Sequence, residues 1–254
     1  MVVVYGYLGR EALILTHDRM VYALGGNEDG CSGTGNNKNL LVPTKVDVLC
    51  EKNIKTFAHG SSLHVLALTE DGKVYSWGNN DFYELGNKFD DTKFSATPTL
   101  VQEILSDTFV VDIACGKYHS LALTGDGQVY EWGKDKHLPY SCINFTSTMV
   151  PRKVQSTFAG KRIVCISCGD SFSMAVTADG EVYGWGNNEY GQLGITNDNS
   201  QEQPCKITKL TGIVIEKVAC GYSHTLALSN EGILYAWGEN TYGELGSPTQ
   251  TKAC

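Results

Sequence analysis

VYGWGNNEYGQLG, residues 182–194, decides how this chain is read. A short apolar strand ends at Trp185. Gly186 then opens a polar loop that closes on a Leu-Gly pair. The phrase returns as LYAWGENTYGELG at 234–246, and in looser form as VYSWGNNDFYELGN at 74–87, VYEWGK at 129–134 and VYALGGNEDGCSGTGN at 21–36. The anchoring residues Leu24, Trp77, Trp132, Trp185 and Trp237 lie 53, 55, 53 and 52 residues apart. A fixed period of this size marks a repeat architecture.

A second phrase precedes each tryptophan: IACGKYHSLAL from Ile113, ISCGDSFSMAV from Ile166, VACGYSHTLAL from Val218, and the looser FAHGSSLHVLAL from Phe57. The two phrases are joined across Asp71-Gly72, Asp126-Gly127, Asp179-Gly180 or Glu231-Gly232. Two β-rich runs linked through such a dipeptide predict a hairpin, because glycine tolerates the positive φ of tight turns. The first unit has Asp18-Arg19 there and no glycine, which predicts a looser hairpin. Pro43, Pro98, Pro151 and Pro204 mark a last short strand, since proline cannot donate to a ladder and suits an edge. Four short antiparallel strands in about fifty residues make one propeller blade. The expected fold is all-β, a propeller of four-stranded antiparallel blades. The repeats fall at about 20–72, 73–127, 128–180, 181–232 and a shorter 233–254.

The spelling CG-x-x-H-x-L-A-L, then DG-x-V-Y-x-W-G-x-N-x-x-G-Q-L-G, resembles that of the regulator of chromosome condensation repeat family from about residue 12 to 246. EALILTHDRMVYALG, LVPTKVDVLCEKNIK and CGYSHTLALSNEGILYAWGENTYGELG resemble the subgroup that joins this propeller to a C-terminal BTB domain. Family propellers close with seven blades, on the order of 370 residues at about 53 each. The resemblance therefore implies an incomplete arc of about five blades and a fragment of a longer protein.

Trp77, Trp132, Trp185 and Trp237 are expected to pack between blades, each contributing on the order of 3 kcal/mol when buried. Gly78, Gly133, Gly186 and Gly238 follow them and permit close backbone approach. His64, His119 and His224 recur once per unit, with Phe172 in the fourth, so they read as repeat histidines bonded to nearby backbone.

A net charge of −8 argues against a nucleic-acid surface, which should show a basic stripe. No apolar run is long enough to span a bilayer. The opening MVVVYGYLG has no basic residue before its apolar run and does not read as a signal peptide. The expected location is cytoplasm, nucleus or both. Cys115, Cys168 and Cys220 share one repeat position and read as small buried thiols. Cys165 and Cys168 form a CxxC without a second pair at metal spacing. No phosphate loop, HExxH or nucleophile elbow is present. The chain is therefore expected to be no enzyme, with no catalytic residue, metal or cofactor.

Two function classes remain. The first is a module that holds a protein partner; in the resembled subgroup the BTB domain would recruit a cullin ubiquitin ligase. The second, implied by the founding family member, is guanine-nucleotide exchange on a small GTPase or a role on chromatin. The loops after the CG glycines are the expected contact positions: Ser62, Lys117, Tyr118, Asp170, Ser171, Tyr222 and Ser223. Only Asp170 among them is acidic, so the cluster expected for exchange is mostly missing. Unit three breaks the pattern with KDKHLPYSCINFTSTMVP; Lys134 and Lys136 there read either as part of a drifted exposed loop or as a basic rim contact for an acidic partner.

Overall fold

Each sheet grows from its hairpin. The structure, a computed structural model, describes residues 1–5, 9–87, 92–101, 108–134, 147–154, 158 and 160–246. At Thr69–Lys73 the Thr69 amide donates to the Lys73 carbonyl (2.9 Å) and the Gly72 amide to the Thr69 carbonyl (3.0 Å). The Thr69 hydroxyl adds bonds to the Lys73 amide (2.9 Å) and the Asp71 carboxylate (2.5 Å). Thr177, Asp179 and Glu181 repeat the arrangement. Gly72, Gly180 and Gly232 supply φ values of +77°, +84° and +79°. The first hairpin corrects the expectation of looseness. Thr16 and Met20 make the same backbone pair (3.0 Å), and Arg19 itself takes φ +65°. Its guanidinium bonds Asn53 Oδ1 at 2.5 Å, so a side chain holds the turn that glycine holds elsewhere.

The hairpins extend into five antiparallel meanders. Sheet one is β1 Val2–Tyr5, β2 Glu11–Leu15, β3 Val21–Gly25 and β4 Leu40–Lys45. Sheet two is β5 Ile54–His59, β6 His64–Thr69, β7 Val74–Asn79 and β8 Phe94–Leu100. Sheet three is β9 Val110–Cys115, β10 His119–Thr124, β11 Val129–Lys134 and β12 Ser147–Lys153. Sheet four is β13 Ile163–Cys168, β14 Phe172–Thr177, β15 Val182–Gly186 and β16 Gln201–Lys206. Sheet five has three strands among the described residues: β17 Ile215–Cys220, β18 His224–Ser229 and β19 Leu234–Gly238. The four prolines sit in the edge strands β4, β8, β12 and β16, where a missing donor is harmless.

The chain divides into two compact units, one carrying sheets one to three and the other sheets four and five. In the first unit, Leu13, Val21 and Leu49 of sheet one and its following turn pack with Phe57, Val65 and Trp77 of sheet two. Leu66, Leu68 and Val74 of sheet two meet Ile113, Ala122 and Trp132 of sheet three. In the second unit Phe172, Met174, Val182 and Leu193 meet Val218, Ala227 and Trp237. Strands β6, β10 and β14 are buried at every position, whereas β18 alternates between buried and half-buried.

The CG phrase gains a physical reason here. Gly60, Gly116, Gly169 and Gly221 lie against the rings of His64, His119, Phe172 and His224, and a Cβ at any of them would collide with the ring. The ring residue opens the second strand of each sheet and pairs with the glycine after the tryptophan, as in His64 with Gly78 and Phe172 with Gly186. Glu11, paired with Gly25, takes that place in sheet one.

Candidate partner-binding loop end

At one end of sheets one, two, four and five, the loop after Leu24 or the tryptophan is built on a buried asparagine: Asn27, Asn80, Asn188 or Asn240. Asn188 Oδ1 accepts the Leu193 amide (2.9 Å), and Asn188 Nδ2 donates to the Asn197 carbonyl (2.5 Å). Asn80 does the same for Leu85 (3.2 Å) and Thr92 (3.0 Å), and Asn27 for Ser32 (2.9 Å) and Asn36 (2.7 Å). The loop so fixed turns one backbone carbonyl toward the next sheet of its own unit. The Cys31 carbonyl accepts the Trp77 indole N–H at 2.7 Å. The Glu84 carbonyl accepts Trp132 (2.7 Å) and the Ser120 hydroxyl (3.0 Å). The Gln192 carbonyl accepts Trp237 and the Thr225 hydroxyl, both at 2.9 Å. Gly33, Gly86 and Gly194 leave room for those indoles. Trp77, Trp132 and Trp237 thus pack between sheets as expected, and each of the three is also a hydrogen-bond donor that the sequence reading overlooked; Trp185 is buried and meets Phe158 edge-on. The N-x-x-G-x-L-G spelling after Trp185 and Trp237, and its looser form after Trp77, was the available signal.

The contact positions named from the sequence sit at this end but differ in exposure. In the first unit the Ser62 hydroxyl donates to the Lys117 carbonyl. His64 Nε2 lies 3.1 Å from Ser120 Oγ, so its partner is a side chain of the adjoining sheet. Burial, with the His59 charge second, lowers His64 to about 3 and keeps the ring neutral. The Tyr118 and Phe82 rings meet at a 55° tilt with centroids 4.7 Å apart. Lys134 is corrected: it ends β11 and is 9% exposed, with Nζ 5.1 Å from the Phe82 centroid and 5.4 Å from that of Tyr118. Its aliphatic stem and charge are used in a cation–π stack, so it is no exposed rim contact. Lys136 lies outside the described residues.

In the second unit the Asp170 amide donates to the Tyr222 carbonyl (3.0 Å), tying the two turns together. Ser171 donates to Asp170 Oδ2 at 3.0 Å. Tyr222 is 60% exposed, but Ser223 beside it is buried at 5% and cannot serve as a contact. The loop tips add Tyr190, 39% exposed, and Tyr242, 90% exposed, neither of which the sequence reading named.

Among the described residues, no group of three or more His, Cys, Asp or Glu is arranged to hold a metal ion. Burial, the largest cause, raises the Cys220 thiol to about 12, which suppresses its nucleophilicity. No helix of the described residues is long and apolar enough to cross a membrane.

The sequence model described as "Regulator of chromosome condensation (RCC1) repeat" matches residues 71–123, 126–176 and 179–228. The "Ultraviolet-B receptor UVR8" of Arabidopsis thaliana is 35% identical over 237 residues, covering 93% of this chain and 53% of that protein. The crystal structure of human WBSCR16 superposes with a TM-score of 0.77 at 28% identity, over 90% of this chain and 58% of that one. That of Prp20p from Saccharomyces cerevisiae superposes at 0.71 and 25% identity, over 88% and 55%. The chain thus spans little more than half the length of these relatives. With the matched repeats, the tryptophan joints and the shared propeller fold in agreement, the chain belongs to the regulator of chromosome condensation repeat family.

Proposed function

We propose that this chain is a protein-interaction propeller, an adaptor and not an enzyme, that meets its partner with the loop end of its sheets. The supporting observation is the contrast within each loop. Asparagine, tryptophan and glycine hold the frame in the interior, while the positions the frame does not need present exposed side chains, above all Tyr222 and Tyr242. A rigid scaffold carrying variable loops is a recurrent design for recognition. The similar Prp20p binds Gsp1p and histones, which supports a protein partner for this fold. Under this reading a BTB domain elsewhere in the natural protein would recruit a cullin ligase, with the propeller presenting the substrate in cytoplasm or nucleus. Exchange on a GTPase is disfavoured, because Ser223 is buried and Ser62 is bound to Lys117. A photo-crosslinking residue at Tyr222 should trap a protein partner from cells, while the same residue at Lys209, at the hairpin end, should not. Equal trapping at both sites, or none, would overturn the assignment.

The outward face of sheet five supports a second part of the proposal, that further repeat sheets belong to the natural protein. Leu234 is 63% exposed, whereas Val74, Val129 and Val182, its counterparts, are at most 2% exposed. The natural transcript should encode another Trp-Gly repeat. A transcript without one, yielding a stable monomer, would refute this part.

A further inference from the structure

The hairpin end of the first unit breaks the repeat at three positions that meet in space. At the later Asp-Gly turns the glycine is covered by the residue that precedes the next sheet. Phe109 lies against Gly72 in the first unit, and Arg162 against Gly127 and Val214 against Gly180 in the second; a Cβ on any of these glycines would collide with that side chain. The next strand then binds the turn. The Val110, Ile163 and Ile215 amides donate to the Gly72, Gly127 and Gly180 carbonyls at 3.2, 3.2 and 3.0 Å. Between sheets one and two, Arg19 holds the place of the glycine and Asn53 that of Phe109. The Arg19 carbonyl takes the Glu51 amide there (3.3 Å). The third change is Glu70, whose amide donates to the Asn53 carbonyl (2.8 Å); Gly125, Ala178 and Asn230 make that bond in the later sheets.

Arg19, Asn53 and Glu70 line one cavity of about 310 Å³ together with Leu15, Thr16 and Ile54. That volume is at the lower end of the range for small-molecule pockets. The Arg19 guanidinium gives one donor to Asn53 Oδ1 (2.5 Å), and its other N–H groups have no partner among the described residues. The Glu70 carboxylate has no partner among the described residues either, and no ion pair joins it to Arg19. The Thr16 hydroxyl is taken by the Met20 carbonyl (3.0 Å), and the Met1 ammonium by the Leu15 carbonyl (2.8 Å). The backbone here is strained as well. Arg19, Glu51 and Asn53 take φ values of +65°, +65° and +53°, half of the six left-handed non-glycine residues among the described residues. Such backbone persists where its surroundings over-determine it, and it gathers at ligand clamps.

We propose that this cavity binds a free amino acid with an aliphatic side chain. The Arg19 guanidinium takes the carboxylate, the Glu70 carboxylate takes the ammonium, and Leu15 and Ile54 cover the side chain. An anion alone would face Glu70, and a cation alone would face Arg19. An apolar molecule would leave both charges without a partner. A residue inside a peptide lacks both terminal charges. The cavity is at the hairpin end, away from the loops proposed to hold a protein, so the two readings stand or fall separately.

The test is a titration of the isotope-labelled 254-residue chain, followed by its amide chemical shifts. The probes are L-leucine, isocaproate (leucine without its ammonium) and isoamylamine (leucine without its carboxylate). Leucine should shift the Glu51, Asn53 and Glu70 amides saturably. Each truncated probe should bind roughly tenfold more weakly, the scale of one hydrogen bond to a charged group. Glu70→Gln should weaken leucine by a similar factor and leave isocaproate unweakened. Arg19→Gly, which installs the residue that the later turns use, should weaken leucine and leave isoamylamine unweakened. No saturable shift with leucine, leucine binding no tighter than the truncated probes, or unaltered leucine binding by Glu70→Gln would overturn the proposal. None of these results touches the crosslink expected at Tyr222.

Discussion

Loops 79–87 and 187–194 are built on one plan and differ in the side chain that closes it, Glu84 in one and Gln192 in the other. In both, the first asparagine accepts an amide two residues on: Asn79 from Asp81 (3.2 Å) and Asn187 from Glu189 (3.1 Å). In both, a long side chain five residues further on accepts an amide at 2.9 Å, Glu84 from Phe82 and Gln192 from Tyr190. Its carbonyl then takes the next sheet's indole and hydroxyl. Gln192 has an amide nitrogen left over, which donates to Asn187 Oδ1 at 2.6 Å. Glu84 offers a second oxygen, buried and without a hydrogen-bond partner. Burial is the main cause that raises the Glu84 carboxyl to about 7, with Asp81 and Asp29 adding repulsion. A repeat frame therefore accepts an acid in place of an amide at a cost that is cancelled when the acid keeps its proton.

The largest effect would come from breaking both joints. Trp132→Ala and Trp237→Ala each remove a buried ring and a hydrogen bond to the loop carbonyl. Each should cost roughly 3–5 kcal/mol, as large-to-small core changes do. Urea titration would show it, and a loss under about 1 kcal/mol at either site would remove that tryptophan from its joint.

Next in size is the replacement of the buried acid by the amide. Below pH 4.5 the Glu84 carboxyl is protonated in folded and unfolded chains alike. Between 4.5 and about 7 only the unfolded chain releases the proton, so stability falls as pH rises. Above about 7 the loss is complete, at about 3 kcal/mol. Glu84→Gln should recover most of this at pH 8 and flatten that part of the stability profile. Parallel profiles for variant and parent between pH 5 and 8 would mean that the buried oxygen finds compensation the structure does not show.

The reciprocal change sharpens the same point. Gln192→Glu removes the bond to Asn187 and buries an acid, at a cost of about 1–3 kcal/mol near neutrality. The loss should shrink on acidification. A loss independent of pH would show that the amide matters for its shape and not for its donor.

What the sequence revealed of all this follows from what repeats and what does not. Trp77 through Trp237, the Asp-Gly turns and the edge prolines recur, so their spacing shows strand order and sheet number directly. Arg19 misled because a left-handed residue with a side-chain anchor on Asn53 substitutes for glycine, and no local pattern announces that anchor. Lys134 misled because its exposure depends on Phe82, about fifty residues away and across a sheet boundary. Ser223 read as a loop residue but is covered by the chain around it. The joint carbonyls were hidden for another reason: backbone acceptors have no letter in the sequence. Only the glycines that clear space for the indoles mark them.

The smallest effect isolates the cause of Glu84's retained proton. Burial and repulsion both raise this carboxyl, and the two are separable because Asp81 is exposed and can be changed without touching the core. Asp81 Oδ2 also accepts from Asn79 Nδ2 (3.3 Å), a bond that asparagine can keep through its own oxygen. Asp81→Asn therefore removes one negative charge and little else. With less repulsion Glu84 ionises more readily, so the upper end of its pH window should move down by a few tenths of a pH unit, the scale of a screened surface charge. Stability at pH 8 should rise by a few tenths of a kcal/mol, and a profile from urea titrations at closely spaced pH would resolve the shift. A shift of more than about one unit would make repulsion, and not burial, the dominant cause. The Glu84 loop would then differ from the Gln192 loop by its neighbours as much as by its own missing donor.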